Sequence, residues 1–198
     1  MARAVAIVLG LMAVASRAEA AALCESLFVP DGYTLICETR IEGGQRSERV
    51  VVRPSGGAAA SLAELTIRPL ERAAAPLAWT APQQWLADQV AVDVSGLSTG
   101  LQNLGGTAFL AHPAAKATVD GLVTMLTGWS KLPAEACTPE EKPLRHDLRC
   151  RWGIEPVALE MSQRLVEAGE QRFAVSYWAA DEQRLRHLEA IANSFNPA

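Results

Sequence analysis

The chain has 198 residues, 49% of them apolar and 20% charged, with a formal charge of −4 at pH 7. That length suits one domain with a real core, and the negative balance disfavours non-specific binding to nucleic acid. Its four cysteines form no Cys-x-x-Cys, so neither a thioredoxin-type redox site nor a c-type haem is supported.

Residues 1–20 have the pattern of an export signal. Arg3 gives a positive start, Val5 to Ala15 is a short apolar core, and Ala18-Glu19-Ala20 is a small-x-small cleavage site. The core is too short to span a bilayer, which takes about 20 residues. Residues 21–198 are then a single exported domain, periplasmic or secreted, in a bacterium. Cys24 follows Leu23, where lipid attachment wants a small residue. In an oxidising compartment Cys24, Cys37, Cys137 and Cys150 are disulfides by default. Of the three connectivities, Cys24–Cys37 and Cys137–Cys150 is favoured. The two intervals are equal, and each encloses turn formers: Pro30-Asp31-Gly32 in one, Pro139 and Pro143 in the other. A closed loop of this size contributes about 3 kcal/mol in the chain-entropy model.

Tyr33 to Arg40 reads as a strand with Tyr33, Leu35 and Cys37 on one face. Glu42-Gly43-Gly44-Gln45 is a turn, Ser47 to Arg53 the return strand, and Leu62 to Leu70 a third. Together they make an antiparallel meander. A helical insert over 82–130 follows. Leu86, Val90, Val94, Leu97, Leu101 and Leu104 form its first stripe, opened by Pro82. Val92, Val94 and Gly96 lower the propensity, leaving room for a break near Asp93. A second helix is expected from Pro113, with Val119, Leu122, Leu126 and Trp129 on one face. The insert either covers the sheet or presents an apolar surface to a lipid or partner. Asp88, Asp93, Lys116 and Asp120 argue against a membrane hairpin, so no membrane span is expected.

Leu148, Cys150 and Trp152 alternate with Arg149 and Arg151, a strand leading into a C-terminal hairpin. Val157 to Val166 and Gln171 to Ala179 both alternate with their apolar residues at odd numbers. Residues directly opposite each other share a face, so the opposed numbers sum to an even value and the loop has odd length. Glu167-Ala168-Gly169 then supplies a three-residue loop, and Arg164 stands opposite Arg172. Asp181 caps a final helix whose stripe is Leu185, Leu188, Ile191 and Phe195. This helix is expected on the Phe173/Val175/Tyr177 face. Strands, helices, strands and a helix make an α+β domain with an antiparallel sheet.

Three stretches resemble the PsbP-like families: Phe28-Val29-Pro30-Asp31-Gly32-Tyr33, the strand Arg172-Phe173-Ala174-Val175-Ser176-Tyr177, and the closing Ile191-Ala192-Asn193-Ser194-Phe195. The resemblance implies a small α/β/α sandwich with the C-terminal helix packed on its sheet. Its named member is an accessory of photosystem II. No ion-binding residues match for carrying over.

No phosphate loop, dinucleotide fingerprint or nucleophile elbow occurs, so no cofactor is expected. Two readings of function stand. In the first, the protein is a non-catalytic accessory or binding protein of the cell envelope, with an unknown envelope protein or a small anionic ligand as partner. Its site is the even-numbered hairpin face with Glu160, Arg164, Arg172 and Trp178, and Arg149 and Arg151 extending it. In the alternative, the protein is a hydrolase or metal-dependent enzyme using the Glu140/His146/Asp147 region.

Overall fold

The computed structural model describes residues 23–42, 45–56, 63–104, 137–154 and 157–197, with backbone alone at 40–42, 45–47, 95–104, 152–154 and 157–158. The leader over 1–20 and the helix expected from Pro113 lie outside the described residues.

Seven strands form one antiparallel sheet: β1 (Tyr33–Glu42), β2 (Gln45–Pro54), β3 (Ala63–Leu70), β4 (Cys137–Lys142), β5 (Arg145–Ile154), β6 (Val157–Ala168) and β7 (Gln171–Ala179). Their spatial order is β1-β2-β3-β7-β6-β5-β4. The expected meander is therefore one half, and the C-terminal strands insert beside its third strand. The described helices include α1 (Pro76–Thr80), α2 (Pro82–Leu104) and α3 (Glu182–Ser194). The sheet, with helices before and after its second half, is an α+β arrangement. No described helix is long and apolar enough to cross a membrane.

Helices occupy both faces. On one, α2 lays Trp85, Leu86, Val90 and Val94 against Leu148, Cys150, Leu159, Met161, Leu165 and Ala174. The helix runs unbroken through Asp93. On the other, Leu185, Leu188, Ile191 and Phe195 of α3 pack with Phe173, Val175, Tyr177, Val50, Val52, Leu65 and Ile67. That is the face expected for this helix. Phe173 and Phe195 meet edge to face at 5.3 Å. The Asp181 carboxylate accepts from the Arg184 N–H at 2.8 Å, as a cap should.

The β6–β7 register differs from the expected one. Ala168 stands opposite Gln171, and Arg164 opposite Val175. The turn is the two residues Gly169-Glu170, with Gly169 at φ 57°. A type II′ turn gives its first central position to glycine for this reason. The change of one residue sends the two apolar sets to different faces. Leu159, Met161 and Leu165 go under α2, whereas Phe173, Val175 and Tyr177 go under α3. Because both faces are covered, each helix receives one set, and a common face is not required. Arg172 consequently faces Glu167, not Arg164.

The interval from Cys137 to Cys150 is a hairpin of β4 and β5. Lys142 pairs with Arg145 around Pro143-Leu144, and Leu144 takes φ 58°. Pro139, Glu140, Glu141 and Lys142 hide this strand from a propensity reading, but an edge strand tolerates both proline and charge. The disulfides are Cys24–Cys37 and Cys137–Cys150, the latter between directly opposed residues.

The turn geometry predicts an asymmetric result. Gly169→Ala should lower stability by about 1 kcal/mol, since an L side chain is strained in the left-handed region. Glu170→Ala should be neutral. Denaturant midpoints of the two variants measure this.

Candidate functional site

The β5–β6 register places Asp147 opposite Arg164, Arg149 opposite Ser162, and Arg151 opposite Glu160. All lie on the α3 face of the sheet. Helix α3 sits over β3 and β7, and its flank carries Glu189 and Asn193 towards β5 and β6. The result is a network centred on Arg164, whose side chain is only 3% exposed. Its Nη1 donates to Asn193 Oδ1 at 2.8 Å. Its Nη2 donates to the Tyr177 hydroxyl at 2.7 Å and to Glu189 Oε1 at 3.2 Å. The guanidinium also lies 4.9 Å from the Tyr177 ring centre, within cation–π range. Its Nε is 3.6 Å from Asp147 Oδ2, an oxygen that Arg145 holds at 2.8 Å.

Burial pushes the Tyr177 hydroxyl above its ordinary value, and the Arg164 charge opposes that only in part. Tyr177 is therefore a neutral acceptor towards Arg164 throughout the physiological range.

The network is closed inside and open at its rim. Arg149 bonds Glu189 at 2.6 Å and approaches Glu160 at 3.7 Å, yet its side chain is 47% exposed. Arg151 is exposed and forms no ion pair among the described residues. Beyond them β4 is exposed along Thr138 to Lys142, where Lys142 pairs with Glu140 at 2.9 Å. The Lys142 ammonium holds the Glu140 carboxyl below its usual value. Exposed guanidinium groups spaced along one strand face are suited to carboxylate or phosphate oxygens, which they bind in bidentate fashion.

The α2 face holds a second polar group. Asp93 Oδ2 accepts from the Ser176 hydroxyl at 2.8 Å and from the Gln163 amide, which also donates to Ser176 at 2.8 Å. Burial raises the Asp93 carboxyl above its ordinary 3.8, and the bonds from Ser176 and Gln163 offset part of that. These contacts tie the middle of α2 to the centre of the sheet. At the hairpin end, Arg172 donates to the Ala78 carbonyl and pairs with Glu167, with its guanidinium 5.2 Å from the Trp79 ring centre.

The expected site residues divide between the faces. Glu160 and Arg164 stay together, joined by Arg149 and Arg151. Arg172 and Trp178 lie across the sheet from them, Arg172 in its own ion pair and Trp178 opposite Met161 against the α2 core. Of the Glu140/His146/Asp147 region, Glu140 stands directly opposite Asp147 on one face of the sheet, and His146 lies on the other. Adjacent strand residues point to opposite faces. Asp147 reaches Arg145 and Arg164, whereas His146 lies 3.9 Å from Glu141 and 3.7 Å from Glu167. Among the described residues no His, Cys, Asp or Glu cluster is arranged to hold a metal ion. Sequence reasoning missed Tyr177, Glu189 and Asn193. Glu189 and Asn193, four apart on α3, form a polar row beside its apolar stripe, and that row was the available signal.

No family model matches the chain, and no curated protein matches it. Among solved structures, CalU16 from Micromonospora echinospora aligns at 11% identity over 84% of this chain and 87% of its own, with a TM-score of 0.18.

Two measurements test the energetics. Arg164→Ala leaves the buried Asp147 with Arg145 and the half-buried Glu189 with Arg149 as their remaining cations, and should cost about 3 kcal/mol, read from denaturant unfolding. Asp93 has its pKa raised by folding, so its contribution is complete below the ordinary carboxylate range and is lost as pH rises through the raised value. Asp93→Asn, which keeps an acceptor oxygen and cannot ionise, should therefore gain stability relative to the parent at neutral pH. The gain should shrink towards acid pH, where the parent carboxyl is protonated.

Proposed function

We propose that this chain is an exported accessory protein of the bacterial cell envelope, periplasmic or secreted, that works by binding. Its partner is an acidic envelope protein, or a small anion presenting the same oxygen chemistry. The recognition surface is the open face of β5, where Arg149 and Arg151 project beside Glu160. The observation that carries this reading is the exposure of those two guanidinium groups on a strand whose inner neighbours, Arg164 and Asp147, are locked in the network. The inner groups hold the strand; on the outer side Arg151 is exposed and Arg149, though bonded to Glu189, is still half-exposed.

The leader pattern and the two disulfides support export. The helices on both faces of an antiparallel sheet support an α/β/α sandwich of the kind that the PsbP-like resemblance implies. An accessory role fits that resemblance as well. Neither Arg172 nor Trp178 belongs to this surface. Arg164 and Glu160 serve it from behind, by fixing the position of Arg149.

The test is cross-linking in the envelope of the producing cell, followed by identification of the captured protein. The parent should capture an acidic partner, more efficiently at low salt because screening weakens exposed charge pairs. Arg149→Ala with Arg151→Ala should lose about 1 kcal/mol of binding, a several-fold fall, at an unchanged melting temperature. Equal capture by the parent and the double variant would assign recognition to another surface.

A further inference from the structure

The two disulfides differ in what surrounds them. Cys150 is 0% exposed and belongs to the core under α2, with Leu148, Leu159 and Met161. Its partner Cys137 is half-buried. Cys37 stands opposite Val50 on the α3 face, yet it is exposed, and its partner Cys24 is half-buried.

Thiol–disulfide exchange needs a thiolate to reach one sulfur and the other sulfur to leave as a thiolate. In Cys137–Cys150 the more accessible residue is Cys137. Attack there would expel a thiolate on Cys150, inside an apolar core where charge is costly. The β4–β5 ladder also keeps the two residues directly opposed after the bond opens, which favours reclosure. In Cys24–Cys37 the exposed Cys37 can be reached, and the leaving thiolate forms on a residue that is only half-buried. Among the described residues no ladder joins 23–32 to β1, so the two thiols can part.

The disulfide is also the covalent part of a light attachment. Leu23 and Leu27 are buried in the α3-side core, the Asn196 N–H donates to the Ser26 carbonyl at 3.1 Å, and Ser194 Oγ bonds Phe28. We propose that Cys24–Cys37 is a redox-sensitive clasp, which a dithiol opens in the folded protein to free 23–32 from the end of α3, while Cys137–Cys150 stays closed. A thiolate of the dithiol attacks Cys37 Sγ. The S–S bond breaks, and its electron pair leaves on Cys24 Sγ, which takes a proton from water. The second thiolate of the dithiol then attacks the dithiol's own sulfur in the mixed disulfide and expels Cys37 as a thiolate, protonated in turn. Two electrons pass from the dithiol, which ends as a disulfide, to the cystine, which ends as two thiols. Release of 23–32 opens the apolar layer that Leu23 and Leu27 close beside α3.

Graded dithiothreitol in native buffer, with thiols trapped by alkylation and located by peptide mapping, tests this. Alkylated Cys24 and Cys37 should appear at least about tenfold sooner than alkylated Cys137 and Cys150. Amide exchange of the selectively reduced chain should quicken in 23–32 and stay unchanged in β4 and β5. In denaturant, where burial is lost, both disulfides should open at similar rates. A preference that survives there would trace to local sequence and overturn the proposal. Both opening together in native buffer, Cys137–Cys150 opening first, or unaltered exchange in 23–32 after reduction would overturn it too. Reduction that unfolds the whole chain would make Cys24–Cys37 a staple of the entire fold and likewise reject the clasp.

Discussion

Strands β6 and β7 lie in the middle of the sheet with a helix over each face, so a polar side chain buried on them needs a partner inside the protein. Three side chains of β6 and β7 show the consequence. Arg164 is met by Tyr177, Glu189, Asn193 and Asp147. Gln163, the next residue back, points the other way and is met by Asp93 and Ser176. Arg172 is met by Glu167 and the Ala78 carbonyl. Each partner set includes at least one group from a helix. The buried polar residues therefore fix where α1, α2 and α3 sit, as well as how the strands align.

Energetically these networks are better understood as specifying than as stabilising. Taking charges out of water costs several kcal/mol per ion, and the pairing regained inside roughly offsets it. What the Arg164 network does is make alternatives expensive. A slip of one residue in β6 would strand a guanidinium among Leu86 and Val90 of the α2 core and turn Leu165 towards Asp147. On the outer side the same network ends in Arg149 and Arg151, where solvent reduces the cost of charge. One arginine-rich strip thus passes from buried structure to exposed surface over two strands, because burial falls from β6 to β5.

The disulfides act at the sheet's margins. Cys24–Cys37 ties the segment before the sheet to β1, and Leu23 and Leu27 of that segment join the α3-side core. Ser194 of α3 also binds both the N–H and the carbonyl of Phe28, which joins the segment before β1 to the end of α3. Cys137–Cys150 fastens β4, whose residues beyond Cys137 are all exposed and offer little packing of their own. In both places a covalent link stands where burial is thin.

By itself the sequence determined the elements that depend on local chemistry. Alternation marked β1, β3, β6 and β7; the Leu185/Leu188/Ile191/Phe195 stripe and the Asp181 cap marked α3; equal spacing marked the two cystines. Part of the site was legible for the same reason, since Glu160 and Arg164 alternate within one strand and Arg149 and Arg151 within the next. The β6–β7 register was not legible. Alternation says which residues share a face of one strand, but in a sheet covered on both sides it does not say which helix that face meets. Only the tertiary structure, with α2 on one side and α3 on the other, decided that β6 and β7 give their apolar residues to opposite layers. That choice moved Arg172 across the sheet from Arg164 and gave Arg164 to Tyr177, Glu189 and Asn193, groups that no local pattern joins to it.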